Sequence, residues 1–148
     1  MAVRKPIVLS NGEFQQLQAG DTLGGPVAEV DLISLTNSDA AAAALGEVFY
    51  IFGADSVKKA KADAAATMEA FYFAAAAITA GSTGTFQSAG VLSGLTGLTA
   101  GATYYLSAAT AGAMTVTPPS TVGQYVVRLG KALSTTEFEI RIERPVLL

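Results

Sequence analysis

The clearest pattern of apolar and polar positions lies in the last quarter of the chain. Phe138, Ile140 and Ile142 alternate there with charged residues. An alternation with a period of two places one set of side chains on each face of a strand, so this segment predicts a β-strand with one buried face. Residues 124–129 alternate in the same way. Short strands bounded by Gly, Pro, Ser and Thr are therefore predicted at 103–106, 114–117, 124–129 and 137–142.

The central part of the chain adds further apolar segments of strand length. Residues 30–35, 48–52 and 71–78 are rich in aromatic, branched and other apolar residues, a composition that favours strand. Residues 40–45 have helical propensity but are too few for an independent helix, so their structure is left open. Residues 63–69 predict a turn or a short helix. Short strands at this spacing are typical of an all-β fold, a small antiparallel β-barrel or sandwich.

Residues 1–27 predict an extended N-terminal arm, and residues 28–148 predict the β-barrel-like domain. A short apolar strand at 7–9 precedes Asn11-Gly12, which is a strong turn signal, and glycines with Pro26 interrupt any regular element further on. A segment this thin cannot build its own core, so its apolar residues are expected to pack on another surface. These candidate interface residues are Val3, Ile7, Leu9, Phe14, Leu17 and Leu23.

Charge is scarce in this sequence. Charged residues make up 14% of the 148 residues and hydrophobic residues 51%, whereas about a quarter of the residues in ordinary soluble domains are charged. One interpretation is that much of the apolar count is alanine, which a surface tolerates. The other is that neighbouring subunits cover a large part of the surface, as in obligate assemblies. We favour the second, because larger apolar residues are plentiful as well.

The missing residue types exclude several kinds of chemistry. The chain has no cysteine and no histidine, so it lacks thiolates and the commonest neutral-pH general base and metal ligand. Its nine basic residues are scattered, which argues against a nucleic-acid-binding face. The longest apolar run, residues 70–78, is too short to span a bilayer. With no signal-peptide pattern at the start, we expect a protein made in a cytoplasm, with neither nucleic acid nor membrane as its partner.

No motif points to an enzyme. Gly81-Ser-Thr-Gly84 lacks the lysine that a phosphate-binding loop carries after its second glycine, so a hairpin turn is predicted there. Glu29 and Asp31 lie on one strand face but supply too few ligands for a calcium site. We therefore predict no catalytic, cofactor-binding or metal-binding residue.

Three tyrosines are the remaining candidate interface residues. Adjacent strand residues point to opposite faces, so one of Tyr104 and Tyr105 faces the core and the other faces outward. Tyr125 lies on a second predicted strand. Outward tyrosines are good interface anchors, although a partly exposed tyrosine without a partner is an equally open interpretation.

Several segments of the C-terminal third resemble a module of tailed-bacteriophage virion proteins. They are Gly97-Leu-Thr-Ala-Gly-Ala-Thr-Tyr-Tyr-Leu-Ser107, Gly112-Ala-Met-Thr-Val-Thr-Pro-Pro-Ser120, Gly123-Gln-Tyr-Val-Val-Arg-Leu-Gly-Lys-Ala-Leu-Ser134 and Phe138-Glu-Ile140. The stretch from 46 to 84 is similar to the earlier half of the module, and residues 4–23 to the segment that often precedes it. Such modules occur in capsid decoration (cement) proteins and in head and tail fibres. The resemblance implies a small β-barrel-like domain, usually trimeric.

From this resemblance we expect a capsid decoration protein without enzymatic activity or cofactor. A homotrimer would bind the major capsid protein lattice at junctions between capsomers, on the outer surface of the virion, and oppose the outward load of packaged DNA. A short head- or tail-fibre component is the alternative. A carbohydrate-binding module or small hydrolase is a hypothesis of a different class, because β-barrels host many activities.

Overall fold

The chain folds entirely into β-strands and connecting turns in the part that the structure describes. The structure is a computed structural model that describes residues 7–10, 13–16 and 30–148. The all-β prediction is confirmed. The strands are β1 (Ile7–Ser10), β2 (Glu13–Gln16), β3 (Asp31–Asn37), β4 (Val48–Gly53), β5 (Ser56–Lys59), β6 (Tyr72–Ala74), β7 (Thr83–Ser93), β8 (Thr103–Leu106), β9 (Met114–Thr115), β10 (Tyr125–Val126), β11 (Arg128–Ala132), β12 (Glu137–Ile140) and β13 (Val146–Leu147).

Five strands close into a small barrel. They pair in the order β3, β5, β4, β6 and β7, and β7 then pairs with β3 to complete the ring. Every pairing in the ring is antiparallel except the short one between β3 and β5, where Thr36 lies beside Ser56 and Asn37 beside Val57. The barrel is therefore mixed, with one parallel pair in an otherwise antiparallel arrangement.

The long strand β7 joins the barrel to a second sheet. Its first half pairs with β3 as far as Ala89, and from Gly90 onward it pairs with β12. Gly90 has a φ of 87°, a conformation that residues with a side chain rarely adopt, so glycine suits the point where the strand changes partners. The second sheet continues from β12 through β11 and β8 to β9. Two further pairs, β1–β2 and β10–β13, each form a separate two-stranded sheet.

Strand alternation divides the buried residues into two cores. The barrel interior takes one residue from each of its strands, namely Leu35, Val57, Phe49, Ala74 and Phe86. The residues next to two of these, Val48 and Phe73, belong to the other core, which lies between the barrel and the second sheet. Because neighbouring strand residues point to opposite faces, the start of β4 and the end of β6 are buried on both sides. They therefore form the wall between the cores.

The alanine-rich stretch 40–45 is held as a turn by Asn37. The buried Nδ2 of Asn37 donates to the carbonyls of Ala41 (3.1 Å) and Ile78 (3.3 Å), and its Oδ1 accepts a hydrogen bond from the Asp39 N–H (3.1 Å). Ala43 forms an isolated antiparallel bridge with Ile78. The turn satisfies all three polar groups of a buried amide, and this outweighs the helical propensity of alanine.

Several predicted strands are shorter than the sequence pattern suggests. Residues 71–78 form a strand only at β6, and residues 63–69 form turns rather than a helix. The segment 114–117 ends early because the Thr115 hydroxyl accepts from the Thr117 N–H and donates to the Thr117 carbonyl. This local bonding competes with strand pairing. The segment 124–129 divides into β10 and β11 around Val127, whose carbonyl accepts from Leu106.

Replacing Gly130 by alanine should strongly destabilise the second sheet. Gly130 pairs with β8 on one side and β12 on the other, has a φ of 150°, and would place a Cβ 2.0 Å from the Glu139 carbonyl oxygen. Strain and overpacking together should lower the free energy of unfolding by roughly 3 kcal/mol or more. Urea denaturation provides the measurement. Gly53→Ala is the matched control, because its Cβ would meet only Ser56 Oγ at 3.2 Å; equal losses for the two variants would contradict the prediction.

Candidate interaction surfaces

Many of the charged side chains that the structure describes form ion pairs. Lys59 Nζ lies 2.8 Å from Glu47 Oε1, and Lys61 Nζ lies 2.6 Å from Asp63 Oδ2. The second carboxylate oxygen of Glu47 accepts from the Ala44 N–H, so this side chain fixes the turn before β4. Two more pairs join Arg128 to Glu143 and Arg141 to Glu139. These charges stabilise local structure and are not arranged around a common centre.

The described residues contain no group of three or more acidic side chains placed to hold a metal ion. Glu137 is exposed on β12, and Glu139 on the same strand pairs with Arg141. In the part of the chain that the structure covers, no helix has the length and apolar character needed to cross a bilayer.

The three predicted interface tyrosines have different environments. Tyr104 is 8% exposed, its hydroxyl accepts from the Thr99 N–H at 2.9 Å, and its ring meets Phe138 edge-on. Tyr104 is therefore a core residue, and the prediction that it belongs to an interface is corrected by the inward direction of its side chain. Tyr105, its neighbour on β8, is half-buried. Tyr125 is also half-buried and pairs with Leu147.

The predicted interface residues of the arm have little or no structural description. Val3, Leu17 and Leu23 lie outside the described residues. Ile7, Leu9 and Phe14 lie in the hairpin of β1 and β2, where Leu9 pairs with Phe14 and Ile7 with Gln16. The predicted turn Asn11-Gly12, which separates these two strands in sequence, lies outside the described residues.

Apart from Ile51, Val116 and Leu133, the large apolar side chains that are exposed in the described residues fall into three groups along the chain. We call them the β3 edge, the aromatic strip and the C-terminal ribbon. The β3 edge consists of Val30, Leu32 and Ile33; the aromatic strip consists of the exposed Phe52 and Phe71 with the half-buried Tyr50; the C-terminal ribbon consists of Val122, Val146, Leu147 and Leu148. Single exposed apolar residues are ordinary, but clusters of them mark interaction sites.

The aromatic strip lies on the outer face of the barrel. Tyr50 packs against the core between the sheets, and Phe52, two residues along the same strand, is 53% exposed. Lys58, which pairs with Tyr50 across β4 and β5, has its Nζ 3.6 Å from the centre of the Phe52 ring. This cation–π contact holds the ring against the sheet. Phe71, 42% exposed, precedes Tyr72 and Phe73 on β6.

The C-terminal ribbon is fixed by main-chain bonds although its side chains are exposed. β13 pairs with β10, and Leu148 both donates to Gln124 and accepts from Gly123, each at 3.0 Å. Val122 is 88% exposed, and Val146 and Leu147 are each 60% exposed. An apolar surface on an ordered backbone loses little conformational entropy when it binds a partner.

A groove of about 500 Å³ runs between the barrel and the segment after β12. Apolar residues, including Phe71 and Ile142, line much of it, and Glu69 and Arg144 are among its charged residues. Phe71 thus belongs to both the groove and the aromatic strip. Among the described residues that line the groove, no acid and base are joined by a hydrogen bond; Arg141 and Glu143 bond instead to Glu139 and Arg128, outside the lining.

Sequence reasoning missed these surfaces. The predicted strand at 30–35 did contain a signal, because Leu32 and Ile33 are adjacent and must point to opposite faces, so at least one of them leaves the barrel interior. The apolar run at residues 146–148 was a second signal. Neither pattern distinguishes a residue facing solvent from one facing a second core.

A scan against models of known protein families gives no match for this chain, and a search of curated protein sequences gives none either.

Two valines five residues apart allow a buried and an exposed side chain to be compared. Val127 is fully buried and Val122 is 88% exposed. Val127→Ala should lower the free energy of unfolding by roughly 2 kcal/mol, through two lost methyl groups and the cavity they leave. Val122→Ala should change it by less than about 0.5 kcal/mol. Urea denaturation of both variants measures the difference; a comparable loss for Val122→Ala would mean that its side chain is already packed in the free protein.

Proposed function

We propose that the chain is a structural protein of a tailed-bacteriophage particle, and that it acts as a capsid decoration (cement) protein. The observation that carries the proposal is the exposure of large apolar side chains on ordered strands and beside them, in the three groups named above. A protein that works by bridging neighbours needs several such surfaces and no reaction centre. The resemblance of residues 97–140 to a virion module supports the same role.

The segments that carry this resemblance lie mostly in the second sheet. Residues 97–107 include β8, residues 112–120 include β9, and residues 123–134 include β10 and β11. With β12, the strands β8, β9 and β11 belong to the second sheet, whereas β10 pairs with β13 in a separate two-stranded sheet. What supports the proposal here is this pairing, because β13 carries the exposed Val146 and Leu147.

In the proposed mechanism, the protein forms a homotrimer that binds the outer face of the major capsid protein lattice at junctions between capsomers. Burying apolar surface against two or more capsid subunits makes their separation unfavourable, by roughly 25 cal/mol for each Å² removed from water. The particle thereby gains resistance to the outward load of its packaged DNA.

The purified protein should be a trimer. Light scattering at micromolar concentration is expected to give three times the chain mass of 15.0 kDa. Burial of the exposed apolar clusters between copies is the physical reason. A stable particle of 15.0 kDa would contradict self-association.

Deleting residues 1–25 should weaken capsid binding while leaving the barrel folded. Both described cores are built from residues between Leu35 and Ile140, so near-ultraviolet circular dichroism should stay unchanged. Binding to capsids prepared without this protein should fall at least tenfold, which corresponds to about 1.4 kcal/mol. Co-sedimentation measures the binding. Equal decoration by the shortened chain would disprove a role for the arm, and binding only to tails would favour the fibre alternative.

A further inference from the structure

We propose that the free edge of β3 receives strand β1 from the hairpin of a second copy of this chain, so that neighbouring copies are linked by a shared sheet. This inference rests on the self-association in the proposed function and names the surface responsible for it.

The pairing pattern of β3 leaves main-chain groups without a neighbouring strand. In antiparallel pairing, alternate residues direct their N–H and C=O groups to opposite sides. Asn37 donates to Ser82 on the β7 side, and Thr36 donates to Asp55 on the β5 side. By this alternation, the main-chain N–H and C=O groups of Ser34 and Leu32 also point to the β5 side. Since β5 begins opposite Thr36, no strand of the described barrel reaches them.

The side chains along this edge are apolar and exposed, as expected for a strand that a partner covers. Val30 is 50% exposed, Leu32 55% and Ile33 38%. Proteins usually protect an exposed edge with lysine, proline or a bulge that twists it away. The one charged residue here, Asp31, accepts a hydrogen bond from the Ser88 hydroxyl at 2.6 Å and is engaged on the β7 side.

The hairpin of β1 and β2 fits this edge in three respects. A two-stranded hairpin is only marginally stable by itself, so it gains most by joining a larger sheet. Its four-residue strands match the length of the uncovered part of β3. Finally, β1 (Ile7–Ser10) carries no charge, whereas β2 begins with Glu13, which would repel Asp31. This difference in charge favours β1 over β2 as the added strand.

A second copy, rather than the same chain, is the source of the hairpin. Among the described strands of one chain, β1 and β2 form a sheet of their own and pair with no residue of β3. The 14 residues between Gln16 and Asp31 could span at most about 45 Å if fully extended, a length that allows the hairpin to leave its own barrel. A contact between two different surfaces can close into a ring, which agrees with a trimer.

Cysteine cross-linking tests the proposal directly, because the chain contains no cysteine of its own. One chain carries Ile7→Cys, Val8→Cys or Leu9→Cys, and a co-expressed tagged chain carries Leu32→Cys. Three consecutive positions sample both strand faces. We expect at least one combination to give a disulfide between the two chains, at a yield at least tenfold above a control with Val122→Cys in place of Leu32→Cys.

The remaining outcomes overturn the inference. When both cysteines are placed in one chain, a disulfide formed mainly within that chain would show that the hairpin covers its own barrel. Absence of cross-links in an oligomeric protein would place self-association on another surface. Because the assay uses no capsids, it is independent of the proposed decoration role, which stands or fails on capsid binding.

Discussion

The burial of both strand faces where β4 begins and β6 ends is the constraint on which the rest of this structure depends. Val48 and Phe49 are adjacent in sequence, yet they enter different cores, and the same is true of Phe73 and Ala74. A strand with both faces buried must be apolar without interruption, and it fixes the second sheet against the barrel. Losing either core would therefore expose the other.

The closed barrel also explains where the exposed surfaces lie. Short strands close the ring only with stagger, so β5 covers the end of β3 and leaves its beginning free, while the end of β4 carries exposed Ile51 and Phe52. These residues are regular parts of a rigid framework and not loops. A rigid apolar surface is suited to assembly, because little entropy is lost when it is covered.

The exposed residues bear on both interpretations of the low share of charged residues, surface alanine and coverage by other subunits. Alanines at 40–42, 64–66 and 76–77 are exposed, as the first interpretation expects. Leu32, Phe52 and Leu147 are exposed as well, which tolerance of alanine does not explain. At the same time, four ion pairs neutralise many of the described charges locally. Beside these ion pairs, the described surface carries exposed apolar side chains of large size.

The sequence by itself determined the all-β class, the strands with period-two alternation and the buried set around Phe138 and Ile140, because these follow from side-chain direction along a single strand. The features that depend on which strands pair with each other were decided only by the tertiary structure. It alone closed the ring through β3 and β7, turned the alanines after Asn37 away from helix, and placed Tyr104 inside. It also left Leu32 and Ile33 exposed, since an apolar residue looks the same in sequence whether it faces a core or an open edge. Strand pairing over long separations carries no local signature, and for that reason only the folded chain reveals which apolar side chains stay exposed.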